Sequence, residues 1–143
     1  MEIPASYVIN STLEVGRIYK FSAPELIEIE EPHFYIVIAI VGDNNYALIS
    51  TTQLNKRIQY VESRGISKET ICYIEPNDGN ELTKDSYLDC NSYFELPNYY
   101  LESKVKEGVL EIKGIISDDD FEKIKYSISR SPLFDLPLDL VKK

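Results

Sequence analysis

Basic residues are scarce in this chain: 15 lysines and arginines stand against 24 aspartates and glutamates, a formal net charge of −9 over 143 residues. A field of that sign repels phosphate backbones at long range, which argues against non-specific nucleic-acid binding. Any RNA-directed activity has to come from a local site. Long apolar runs are missing as well. The longest, Phe34 to Val41, has eight residues, against the roughly twenty that a helix needs to cross a bilayer. With no charged-then-apolar leader ahead of the first polar stretch, a soluble, cytoplasmic protein without membrane partners is expected. Histidine occurs once, at His33, and cysteine twice, at Cys72 and Cys90. These fit no CxxC zinc pattern and do not complete a typical zinc site. Both cysteines read as reduced, half-buried strand residues.

What is present, 43% hydrophobic and 27% charged residues, suits one globular domain over residues 1–143. Gly16 to Phe21 alternates polar and apolar residues and predicts a first strand. Between Pro24 and Pro32 lie Glu25, Glu28, Glu30 and Glu31 with no basic residue among them, an exposed acidic loop. His33 to Val41 is β-branched and continuously apolar, as a strand covered on both faces should be. Gly42 to Asn45 turns it into a hairpin partner, Tyr46 to Thr52. Further strands are expected over 57–62, from weak alternation, and over 71–75, 86–94 and 109–116. Pro76 to Asn80 is the strongest turn signal in the chain.

Pro97 and Gly108 punctuate a short helix. Ser117 followed by Asp118, Asp119 and Asp120 marks the start of another, with Phe121, Ile124 and Ile128 at helical spacing. The three aspartates could also suggest a metal, but successive helical side chains point about 100° apart and do not converge on one ion. No metal is therefore assigned. Pro132 stops that helix. The apolar tail from Leu133 to Val141, in which buried side chains are worth about 1.5–3 kcal/mol each, should cover a surface, its own or that of a second subunit.

Three patterns occur in order: the glycine-led Ile18-Tyr19-Lys20-Phe21; a proline-containing entry to Tyr35-Ile36-Val37-Ile38; and Ile49-Ser50-Thr51-Thr52-Gln53. With Gly114-Ile115-Ile116-Ser117 ahead of an acidic-capped helix, this order resembles the MazF/PemK toxins over roughly Gly16 to Arg130. The middle section, Glu62 to Lys84, is unusually long for that family. The resemblance implies an α+β fold, a strongly bent antiparallel sheet forming an SH3-like barrel (about 14–116) with a C-terminal helix (about 118–130) and a tail (131–143). It also implies a homodimeric, cofactor-free endoribonuclease that cuts single-stranded RNA without metal and is neutralised by an antitoxin protein. The family hydroxyl maps on Thr51. The family arginine maps on His33, which departs from the pattern: a histidine shuttles protons near neutral pH but lacks the permanent, two-pronged phosphate grip of arginine.

The candidate catalytic residues are thus His33 and Thr51, with Gln53, Lys56 and Arg57 as candidate phosphate holders. Each has a plainer reading: a polar strand end for His33, an ordinary β-branched strand residue for Thr51, solvated hairpin-tip charges for the rest. From a different class comes the alternative of a non-catalytic acidic module that recognises a basic protein surface.

Overall fold

The computed structural model describes residues 3–143. Its elements run α1 (Ala5–Thr12), β1 (Arg17–Phe21), α2 (Pro24–Ile27), β2 (His33–Val41), β3 (Asn44–Thr51), α3 (Leu54–Ser63), β4 (Ile71–Ile74), β5 (Ser86–Asp89), β6 (Phe94–Pro97), α4 (Asn98–Lys106), β7 (Glu111–Ile115) and α5 (Asp118–Ser129). The class is α+β. All strand pairings are antiparallel, in the order β4-β5-β3-β2-β1-β7. β6 pairs with the first half of β3, and β5 with its last two residues, Ser50 and Thr51.

The continuous apolar run of β2 is explained by cover on both faces. Ile36 and Ile38 join Ile18, Leu48 and Leu88 in a layer packed by Phe121, Ile124 and Ile128 of α5. Tyr35 and Val37 point the other way, into a layer with Tyr19, Phe21, Leu96, Ile9 of α1 and Leu101 of α4. A bulge at Ile38, between the Val37–Ala47 and Ala39–Tyr46 pairs, bends the central hairpin.

The edge strands β4 and β7 do not pair, so the strands alone do not close a barrel. The turn after β4 approaches the gap instead: the amides of Gly114 and Ile115 donate to the carbonyls of Asn80 (3.3 Å) and Gly79 (2.9 Å). Only glycine fits at 114. An added Cβ would lie 2.8 Å from Asn80 Cα and closer still to the Gly79 carbonyl oxygen.

Several expectations need correction. The 57–62 stretch is helical: Leu54, Ile58 and Val61 recur at spacings of four and three, and that face turns inward with Val61 buried. Residues 86–94 form two strands, β5 and the start of β6, separated by a turn. The acidic loop contains one helical turn, α2, ended by Glu28 in the left-handed region (φ 59°). Cys72, in β4, and Cys90, in the turn just after β5 and not in a strand, are both buried. Within the chain the tail packs in part on its own core: Val141 is fully buried and Phe134 and Leu136 pack on the α5 layer, while Leu133 and Leu138 stay exposed. Lys143 Nζ donates to the Ile116 carbonyl and pairs with Asp118 at 3.1 Å. Helix α5 begins where the sequence predicts, with Ser117 Oγ accepting from the Asp120 amide. None of the described helices is long and apolar enough to cross a membrane.

Candidate functional site

A groove of about 620 Å³ lies where β1 ends, β2 begins and β3 ends. His33, Thr51, Gln53 and Arg57 all line it; Lys56 does not, being exposed elsewhere on α3. The ladder pairing Tyr35 with Ile49 points, two residues further on, to His33 opposite Thr51. Period-2 alternation puts both on the face of Tyr35 and Ile49. Lys20 and Phe34, paired across β1 and β2, project to the other face, with Lys20 Nζ 5.1 Å from the Phe34 ring centre. Since His33, Thr51, Lys20 and Phe34 all line the groove, it crosses the ends of the strands rather than lying on one side of the sheet.

Among the described residues, the local bonding leaves His33 Nε2 and the Thr51 hydroxyl proton without a partner. His33 Nδ1 is 2.8 Å from the carbonyl oxygen of Glu31. A carbonyl only accepts, so in the neutral ring Nδ1 carries the proton and Nε2 keeps its lone pair. Thr51 Oγ1 accepts from the Gln53 amide at 3.1 Å, a local turn that orients the hydroxyl and leaves its own proton available to donate. Gln53 stands at the N-terminal end of α3, exposed, with no side-chain cap. Arg57, one turn further along, is half-buried and reaches Asp89 Oδ2 with Nη1 at 3.4 Å, its guanidinium also lying over the Tyr60 ring.

The charge of this groove differs from that of the whole molecule. Lys20, Lys84 and Arg57 line it against two carboxylates, Glu31 and Asp89. Of the acidic loop, Glu28 and Glu30 do not line it. Glu25 is turned away to α4, where it pairs with Lys104 Nζ at 2.7 Å and accepts from the Tyr100 hydroxyl at 2.5 Å. The Lys104 contact, then the Tyr100 hydrogen bond, hold the Glu25 carboxyl down at about 2, and burial together with this carboxylate pushes the Tyr100 phenol up. Ser22 Oγ donates to the Glu30 carbonyl at 2.6 Å, pinning the far limb of the loop. Ile27 and Ile29 thereby become a groove wall.

Sequence reasoning did not single out Lys20, Phe34, Lys84 or Phe94, and gave no role to Asp89, although the resemblance places it on a segment near the site. Lys20 was legible as the polar member of an alternating strand. Lys84 comes from the long 75–85 connection, whose route no local pattern encodes. A second hollow, about 460 Å³ between β4 and α5, includes Cys72. Burial pushes its thiol up to about 11 and that of Cys90 higher than usual too, so both stay protonated and inert. No group of three or more His, Cys, Asp or Glu suited to a metal occurs among the described residues.

Compared with known proteins, the chain matches no family model and no curated sequence. The resemblance to MazF/PemK toxins rests on its ordered motifs.

Proposed function

We propose that the protein is a toxin-like endoribonuclease of the MazF/PemK kind that cuts single-stranded RNA in the groove without a metal ion. The bent sheet is read as an SH3-like barrel whose seam is made by the 76–80 turn instead of a strand ladder. The observation that carries the reading is the meeting of His33, Thr51 and Arg57 in one groove, with Nε2 of the histidine and the threonine proton uncommitted among the described residues. In the proposed reaction His33 Nε2 takes the proton of a ribose 2′-hydroxyl, and that oxygen attacks the adjacent phosphorus. The P–O5′ bond breaks, giving a 2′,3′-cyclic phosphate and a 5′-hydroxyl that is protonated by the imidazolium. Thr51 donates to a non-bridging oxygen while Arg57, with Lys20 and Lys84 nearby, offsets the developing charge. An antitoxin protein and a homodimer belong to this reading.

Expression of the wild-type chain should arrest growth, and purified protein should cut single-stranded RNA in the presence of EDTA. His33→Ala and Thr51→Ala should each lower cleavage by about 10²-fold or more. Equal activity in all three proteins would remove both residues from the mechanism. One observation favours the non-catalytic alternative, a module for a basic protein surface: among the described residues, Glu28, Glu30 and Glu31 are exposed and form no ion pair. Replacing all three by glutamine should weaken capture of a basic partner under that alternative and strengthen RNA binding under the nuclease reading.

A further inference from the structure

Asp89, the last residue of β5, is the more buried of the two groove carboxylates, its side chain 12% exposed. Its two oxygens are used differently. Oδ1 accepts from the Asn91 amide at 3.0 Å and from Asn91 Nδ2 at 2.8 Å, whereas Oδ2 faces Arg57 Nη1 at 3.4 Å. Asn91 is itself held: Nδ2 also donates to Thr70 Oγ1 at 2.8 Å, and Oδ1 accepts from Ser131 Oγ at 2.6 Å. Ser131 Oγ in turn accepts from the amides of Leu133 and Phe134, where the tail leaves α5. A carboxylate braced in this way is a fixed post. Arg57 is the opposite, a long side chain 40% exposed on a helix face, and the Asp89 contact is the only hydrogen bond its guanidinium makes among the described residues. Arginine carries five N–H donors, so most remain for another anion.

We propose that Asp89 is a positioning residue: it orients the Arg57 guanidinium so that its remaining donors face a phosphate in the groove, and Asn91 and Ser131 hold Asp89 in turn. This rests on the reading of the groove as an RNA site. The opposing possibility is that Asp89 occupies the place of the anion and blocks it. The two have opposite signs. Removing a carboxylate from an anion-binding groove tightens RNA by charge alone, whereas loss of a positioned arginine weakens it.

The test uses the full chain and a fluorescent single-stranded oligoribonucleotide with 2′-O-methyl groups, which cannot be cut through the 2′-oxygen. Asp89→Asn keeps an oxygen for the Asn91 amide and puts an NH2, which cannot accept from Arg57, in the place of Oδ2, so the charge and the acceptor facing Arg57 are lost together. It should weaken binding roughly three- to five-fold and lower the slope of log affinity against log salt by about 0.7, the value of one single-strand phosphate contact. Arg57→Ala should do at least as much, Asp89→Asn should add nothing on that background, and Asp89→Glu should restore part of the affinity. Unchanged or tighter binding by Asp89→Asn, or a full additional loss on the Arg57→Ala background, would overturn the proposal. If the wild-type chain binds no oligonucleotide, the nuclease reading fails by itself, and the Arg57 Nε–H NMR signal decides the positioning role. A signal shifted from the free-arginine position in wild type and collapsing onto it in Asp89→Asn supports the role; a signal that does not move on substitution refutes it.

Discussion

Two loops bridge parts of this molecule that the strand ladders leave apart, and they do so by different chemistry. The 76–80 turn is held from within. Asn77 and Asn80 exchange side-chain-to-amide bonds at 3.1 and 2.8 Å, and Asn80, fully buried, also accepts from the Leu82 amide and donates to the Glu75 carbonyl. Its contact with β7 is made by backbone groups. The 22–32 loop is held from outside, by the Glu25 pairing with Lys104 and Tyr100 and by Ser22 on the Glu30 carbonyl. Backbone closure around a buried amide tolerates no change of shape. Side-chain clamps at a half-exposed rim tolerate a good deal, and this softer loop is the one that walls the groove.

The comparison fails first if the closing turn is tolerant. Gly114→Ala forces a methyl into the Gly79–Asn80 backbone, and the cost should be roughly 3 kcal/mol or more, read as a fall in the urea midpoint. A near-native midpoint would show that this seam is slack. Asn80→Ala strands two amides and one carbonyl and should cost about 2–3 kcal/mol, again by chemical denaturation.

The acidic loop should respond far less. Glu25→Gln should lose under about 1 kcal/mol, because the carboxylate is half-exposed and screened. The folded-state carboxyl is held near 2 against an ordinary value of 4.5, so its contribution is complete above about pH 4.5 and lost as pH falls toward 2. Wild type should therefore lose ground on Glu25→Gln when both are melted at pH 6 and at pH 3. A gap that is constant with pH would remove the Lys104 clamp from the account. The smallest effect sharpens the contrast at the core beneath the groove. Tyr35 stacks on Phe21 at 4.3 Å, and its hydroxyl is buried without a partner among the described residues, with burial raising its pKa to about 12. Tyr35→Phe should be neutral or stabilising by up to about 1 kcal/mol, measured by thermal unfolding.

Much of this organisation follows from local sequence. The alternation in β1, the β-branched run of β2, the Gly42–Asn45 turn and the Ser117 cap each act over a few residues, so each was legible before any contact was known. The strand-end positions of His33 and Thr51 were legible too, marked by a proline and by a run of hydroxyl residues, while their candidate roles came from the resemblance. Where two local patterns competed, the tertiary environment chose. The 57–62 stretch has weak alternation, but one helical face meets the core at Val61 and the helix prevails. Long-range geometry alone decided the rest. It brought Lys84 and Asp89 to the groove, turned Glu25 away from it, tied Arg57 through Asp89 and Asn91 to Ser131, and laid the tail on its own core. Those outcomes depend on which distant segments share a small volume, a question of packing and of satisfying buried polar groups that no window of neighbouring residues contains.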